Sequence, residues 1–149
     1  MPNTKPFVTA ALVCESILHE KDGVLSAIRI VDMFFVGEKR LSAAKGVNAA
    51  LELHILLMLK SGDLIGDGTI TLKVRSPSNK TVELPQSFTA HLKGGENGAN
   101  VHVIFALPFK HIEFGLFWMD VFWNGEELTS IPFKLVSGEK PSLPEQAKS

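Results

Sequence analysis

Tyrosine is absent from this chain, and cysteine occurs once, at Cys14. A lone thiol excludes an internal disulfide framework and any paired-cysteine metal knuckle. Within the apolar run "ALVCESIL", Cys14 reads as a small buried side chain of a cytoplasmic protein, not as an exposed nucleophile. There is also no basic excess: 15 Lys and Arg against 16 Asp and Glu leave a net charge of −1. With no Lys/Arg run, nucleic-acid and anionic-membrane binding are not expected. The longest apolar stretch, "ILLMLK", is too short to cross a bilayer, and Glu52 and His54 interrupt its flank. The opening "MPNTKPFVTA" lacks the charged start and apolar block of a signal peptide.

What is present is the material of one globular domain: 149 residues, 45% hydrophobic and 21% charged. Short β-like runs separated by turn signals predict a single all-β domain, an antiparallel β-sandwich of about eight strands over residues 1–136. One short helical turn is expected near residues 38–47, and a polar tail, disordered by its composition, over 137–149. "ALVCESILHEK" and "VLSAIRIVDMFFV" meet across Asp22-Gly23, which suits a two-residue turn and would set Ile17 against Ile28. Asn124-Gly125 is a second turn of that kind. "NAALELHILLMLK" has helix-favouring composition, but Leu51, Leu53, Ile55, Leu57 and Leu59 alternate, which predicts a strand.

The stretch "ALVCESILHEKDGVLSAIRIVDMF" resembles the opening of a family of small bacterial proteins classed as a domain of unknown function. The resemblance rests on Ala11, Leu12, Cys14, Glu15, Gly23, Leu25, Ser26, Ile28, Ile30 and Asp32. "FGLFWMDVFWNGEEL" is similar to that family's closing hairpin, with Phe117 where tyrosine is usual. The resemblance covers about half the chain, implies a small β-sandwich, and supplies no activity or ligand.

No catalytic motif is found: GxSxG, HExxH, CxxC, the P-loop and the dinucleotide-binding glycine fingerprint are all missing. Asp63 and Asp67 in "SGDLIGDG" lack the further ligands of a calcium loop and read as a turn. His111 and Glu113 in "HIEF" are two potential ligands, too few for a site. The glycine-rich "HLKGGENGANVH" is read as a hairpin symmetric about Glu96 and Asn97. That register pairs Phe88 with Phe105, Ala90 with Val103 and Leu92 with Val101, and makes His91 and His102 direct neighbours. His91 and His102 are therefore the candidates for a weak metal or ligand contact, while no cofactor or resident metal is expected.

The closing hairpin shows a surplus of apolar surface. Regular alternation puts Phe117, Met119, Val121, Trp123, Leu128 and Pro132 on one face. Trp118, Phe122, Ile131, Phe133 and Leu135 fall on the other. A sandwich strand needs only one apolar face, so the second is covered within the chain, shifted by a bulge, or buried in a partner. Trp118, Phe122, Ile131 and Phe133 are the candidate interface residues. The expectation is a non-enzymatic protein-binding or assembly module, self-associating as a homodimer through this hairpin. The alternative is a carbohydrate or small-ligand binding module, and an unrecognised hydrolase is the least favoured.

Overall fold

The computed structural model describes residues 4–37 and 50–138. The expected helical turn near 38–47 and the tail beyond Gly138 lie outside the described residues. The elements are β1 (Phe7–His19), β2 (Leu25–Ile30), β3 (Met33–Val36), β4 (Ala50–Arg75), β5 (Thr81–Pro108), a 3-10 turn (Phe109–His111), β6 (Gly115–Trp123) and β7 (Glu126–Ser137). They form one curled sheet of seven strands in the order β2-β1-β4-β6-β7-β3, with β5 alongside β4. The chain is all-β, as its turn spacing predicts. The strands are not all antiparallel, however, because β3 runs parallel to β7, Phe34 beside Leu135. β3 follows β2 closely in sequence yet pairs at the opposite end of the order, so it arrives running in the same direction as β7.

β4 organises everything else. One of its edges carries β5 from Ala50 opposite Pro108 to Arg75 opposite Thr81. The other edge is shared, with β1 beside His54–Lys60 and β6 beside Ile70–Arg75. The alternation in "LELHILLML" decides which face is buried: Leu51, Leu53, Ile55, Leu57 and Leu59 all enter the core. Each such side chain stabilises the fold by about 1.5–3 kcal/mol relative to exposure. Beyond the middle of the strand the buried set changes parity, to Ile70, Leu72 and Val74.

β5 changes parity at the same level, from Ala90 and Leu92 to Val103, Phe105 and Leu107. The glycine-rich segments "SGDLIG" and "GGENG" face each other there, Gly62 opposite Gly95, with the register shifting around them. Gly62 and Gly95 both adopt positive φ (58° and 63°), which favours glycine. The expected histidine hairpin is therefore corrected. "HLKGGENGANVH" is a bulge inside one long strand, and the true turn lies at Ser76–Lys80, where the Asn79 amide donates to the Ser76 carbonyl over 2.9 Å. His91 pairs with Asp67 and His102 with Leu56, so the two are not cross-strand neighbours. A bulge and a tight turn both reverse parity and both want glycine, which is why the sequence pattern fits either.

The first hairpin is corrected by one residue. Ile17 stands opposite Ala27, not Ile28, because the loop is Lys21-Asp22-Gly23 with Gly23 at φ 86°. This is a three-residue turn closed by the Glu20 amide on the Val24 carbonyl at 2.9 Å. Asn124-Gly125 is the expected two-residue turn, with Trp123 opposite Glu126 and both turn residues at positive φ. Four residues further on, Leu128 is an extra residue: Phe122 pairs with Glu127 and Val121 with Thr129. That bulge moves Ile131, Phe133 and Leu135 onto the same side as Phe117, Met119 and Val121. Phe117 and Phe133 stack at 5.2 Å between ring centroids.

Candidate functional site

The bulge at Leu128 settles where the four hairpin candidates lie. Ile131 and Phe133 are buried, 5% and 1% exposed, and take part in the core. Trp118 and Phe122 remain half-buried on the outer face of β6. Parity brings charged neighbours to that face from β4 and β7. The Arg75 guanidinium donates through Nε and Nη2 to Asp120 Oδ2 and Oδ1, at 2.7 and 2.9 Å. Ser130 Oγ donates to the same carboxylate at 2.6 Å. The Arg75 hydrogen bonds hold the Asp120 carboxyl below its ordinary range, against the opposing effect of its burial. Arg75 lies over the Trp118 ring at 5.8 Å, and Lys73 over the Phe122 ring at 5.1 Å. The face is thus a bidentate ion pair flanked by two aromatic rings, each capped by a cation.

A second arrangement lies on the outer face of the other half of β4. β1 stays beside β4 as far as Cys14, and from there its partner is β2. The β1–β2 hairpin closes over the outward side of β4, packing Cys14 and Ile17 on Leu56, with Leu25, Ala27 and Met58 around them. This brings three histidines from three strands into a row. His54 Nε2 is 2.9 Å from Glu52 Oε1, His54 Nδ1 is 2.9 Å from His102 Nε2, and His102 Nδ1 is 3.0 Å from His19 Nε2. The rings are spaced 5.2 Å apart between centroids on both sides of His102. Burial, and then the neighbouring His54 and His19, push His102 below the ordinary histidine value.

The histidine candidates are thus split. His102 lies in the row, whereas His91 hydrogen-bonds Asp67. Both line an open groove of about 670 Å³ with His19, Ser87, Thr89 and Asn100. Glu52, His54 and His19 were missed by sequence reasoning as members of one group. The available signal is that Glu52 and His54 take the outward parity in "ELHIL", but placing His102 beside them requires β5 to pass straight through its glycine segment. Among the described residues, no group of three or more His, Cys, Asp or Glu converges as a metal site. Cys14 is fully buried, and its thiol lies 3.6 Å from the His54 carbonyl. Burial raises its pKa, the setting of a packing thiol. Glu113 accepts from Ser78 Oγ at 2.8 Å, and Glu113 and His111 both line a small pocket of about 110 Å³ beside the Ser76–Lys80 turn.

No protein-family model matches the chain, and no curated protein matches it in sequence. Solved structures do. The alkylpurine DNA glycosylase AlkC of Pseudomonas fluorescens, bound to DNA containing an abasic site analog, superposes with a TM-score of 0.50 at 12% identity. The match covers 87% of this chain and 30% of the glycosylase chain. A β-glucosidase from Listeria innocua gives a TM-score of 0.48 at 16% identity, over 93% of this chain and 17% of that one. An immunoglobulin-like protein from Pseudomonas aeruginosa gives 0.40 at 11% identity, over 89% and 98%. The chain therefore spans less than a third of the first two proteins, and the likeness to the glycosylase is one of fold. Among the described residues, no helix is long and apolar enough to cross a membrane.

Proposed function

We propose that this chain is a non-catalytic, sandwich-like β module that self-associates through the outer face of β4, β6 and β7. The observation that carries this reading is the Trp118–Phe122 face, where two rings, Arg75 and Lys73 lie together beside Asp120. Tryptophan and arginine are the residue types that dominate binding energy at interfaces. The same face interleaves both signs of charge, with Arg75, Lys73 and Lys134 near Asp120, Glu83 and Glu127. A twofold contact between identical copies needs such self-complementarity. Ile131 and Phe133 support the interface from beneath by fixing β7. Glycosylase-like DNA binding is less favoured, because 15 basic residues are offset by 16 acidic ones and the sequence carries no Lys/Arg run. A carbohydrate platform is also less favoured, since Trp123 is buried and Trp118 is the one remaining indole at the surface. A single buried thiol fits a reducing, cytoplasmic setting.

Sedimentation equilibrium across a micromolar concentration series tests this. The wild-type chain is expected as a dimer, and the Trp118→Ala/Phe122→Ala double variant as a folded monomer. A wild-type chain that stays monomeric at high micromolar concentration overturns the reading.

A further inference from the structure

The row Glu52–His54–His102–His19 joins strands β4, β5 and β1, and its proton count is restrictive. The ionised Glu52 carboxylate only accepts, so His54 carries its proton on Nε2. His54 Nδ1 then accepts from His102 Nε2–H, and His102 Nδ1 accepts from His19 Nε2–H. With all three rings neutral, every contact is satisfied in one direction. One further proton fits without loss, on the outer Nδ1 of the exposed His19. A second cannot fit, because each gap between two rings holds a single hydrogen. Wherever the second proton goes, it sets N–H against N–H in one gap and places two cationic rings in the row.

We infer that this row is a proton-operated latch, holding the β1–β2 hairpin down over β4 near neutral pH and releasing it when the row takes up a second proton. The placement of the three rings supports this directly. His19 is on the hairpin, whereas His54 and His102 belong to the β4–β5 ladder. Breaking the His19–His102 contact frees the hairpin end from the sheet and uncovers Ile17 and Leu56. His19 and His102 line the open groove, which gives protons access from solvent.

The other charged groups nearby are already engaged or distant from the gaps. On β1, Glu15 pairs with Arg29 of β2 at 2.7 Å, and Glu20 accepts from Ser26 Oγ at 2.9 Å. In the turn, Asp22 accepts the Val24 amide at 3.2 Å, and Lys21 is exposed. On β4 the facing group is Glu52 itself, the Cys14 thiol of β1 lies opposite His54, and on β5 His91 is held by Asp67. The sign follows from the depressed value of His102. Latched stability is complete above the ordinary histidine value of 6.5 and is lost as pH falls through the lowered one.

Amide hydrogen exchange on the full chain, corrected for intrinsic pH dependence, tests the latch. Between pH 7.5 and pH 5, the amides of Ile17–Ile30 are expected to lose protection about ten-fold relative to those of β6 and β7, in which no histidine lies. His102→Gln bridges the same neighbours and removes the central cation, and is expected to reduce that difference while leaving protection at pH 7.5 unchanged. Loss of protection spread evenly over the chain, or none at all, overturns the latch. Should the Gln variant not fold, imidazole nitrogen NMR of the wild-type chain decides. Nε2–H tautomers for His54 and His102 at pH 8, with His102 titrating below 6.5, support the latch. Three independent rings at ordinary values overturn it. This readout is internal to each chain and does not depend on self-association.

Discussion

Gly68 and Trp123 are in contact so close that a Cβ on Gly68 would lie 1.9 Å from indole Cζ2. The indole is 3% exposed. Gly68→Ala therefore forces the indole or one of the two strands to shift, with an expected loss of about 1–3 kcal/mol. Urea unfolding of the variant measures it. An unchanged midpoint would mean that the indole is free to move.

Ser61 makes the opposite case. Its side chain is 1% exposed, and its hydroxyl finds no hydrogen-bond partner among the described residues. Burying an unsatisfied hydroxyl is costly, and alanine removes the oxygen while keeping the backbone of the bend. Ser61→Ala is expected to match the wild type or exceed it by up to about 1 kcal/mol in thermal or urea unfolding. A clear loss would show that the hydroxyl is hydrogen-bonded in solution.

Asp120 provides a pH signature distinct from that of the histidines. Its carboxyl is held below its ordinary value, near 3.8, first by the Arg75 hydrogen bonds and then by Ser130, with burial opposing them. A depressed carboxylate contributes stability that is present above the unfolded value and is lost as pH falls through the folded one. Asp120→Asn is expected to lower the urea midpoint at pH 7, and the gap from wild type should narrow as pH falls below 3.8. Parallel curves for the two proteins over that range would rule out this assignment.

Leu128 is the extra residue that places the last strand in register. Deleting it gives a regular hairpin in which Ile131, Phe133 and Leu135 turn outward. Loss of the buried Phe133 side chain from the core alone is worth about 3–5 kcal/mol. The deletion variant is expected to be insoluble or to lack cooperative unfolding, whereas Leu128→Ser, which keeps the residue count, folds. Circular dichroism and melting of the two variants make the comparison.

Sequence patterns revealed elements better than connections between them. The alternation of Leu51 to Leu59 identified a strand against its helix-favouring composition, and Asn124-Gly125 marked a true turn. The glycines around Gly62 and Gly95 were ambiguous, because a bulge and a turn leave the same parity break. Reading the second as a turn paired His91 with His102 and separated His102 from His54. Likewise a one-residue bulge at Leu128 is invisible to alternation, so Ile131 and Phe133 were assigned to the wrong face. The histidine row depends on three strands meeting, and no local pattern encodes that.

Among the described residues, β3 has β7 as its strand partner, the Lys134 amide reaching the Asp32 carbonyl and the Gly138 amide the Val36 carbonyl. A strand made early in synthesis thus waits for the last one. While the ribosome is still adding β7, the edge of β3 has no mate, and Val36 and Phe34 have no Phe133 or Leu135 to cover them. Long-range pairing of this kind slows folding and leaves a nascent chain exposed to wrong partners. Completion of the fold therefore waits until β7 has emerged from the ribosome.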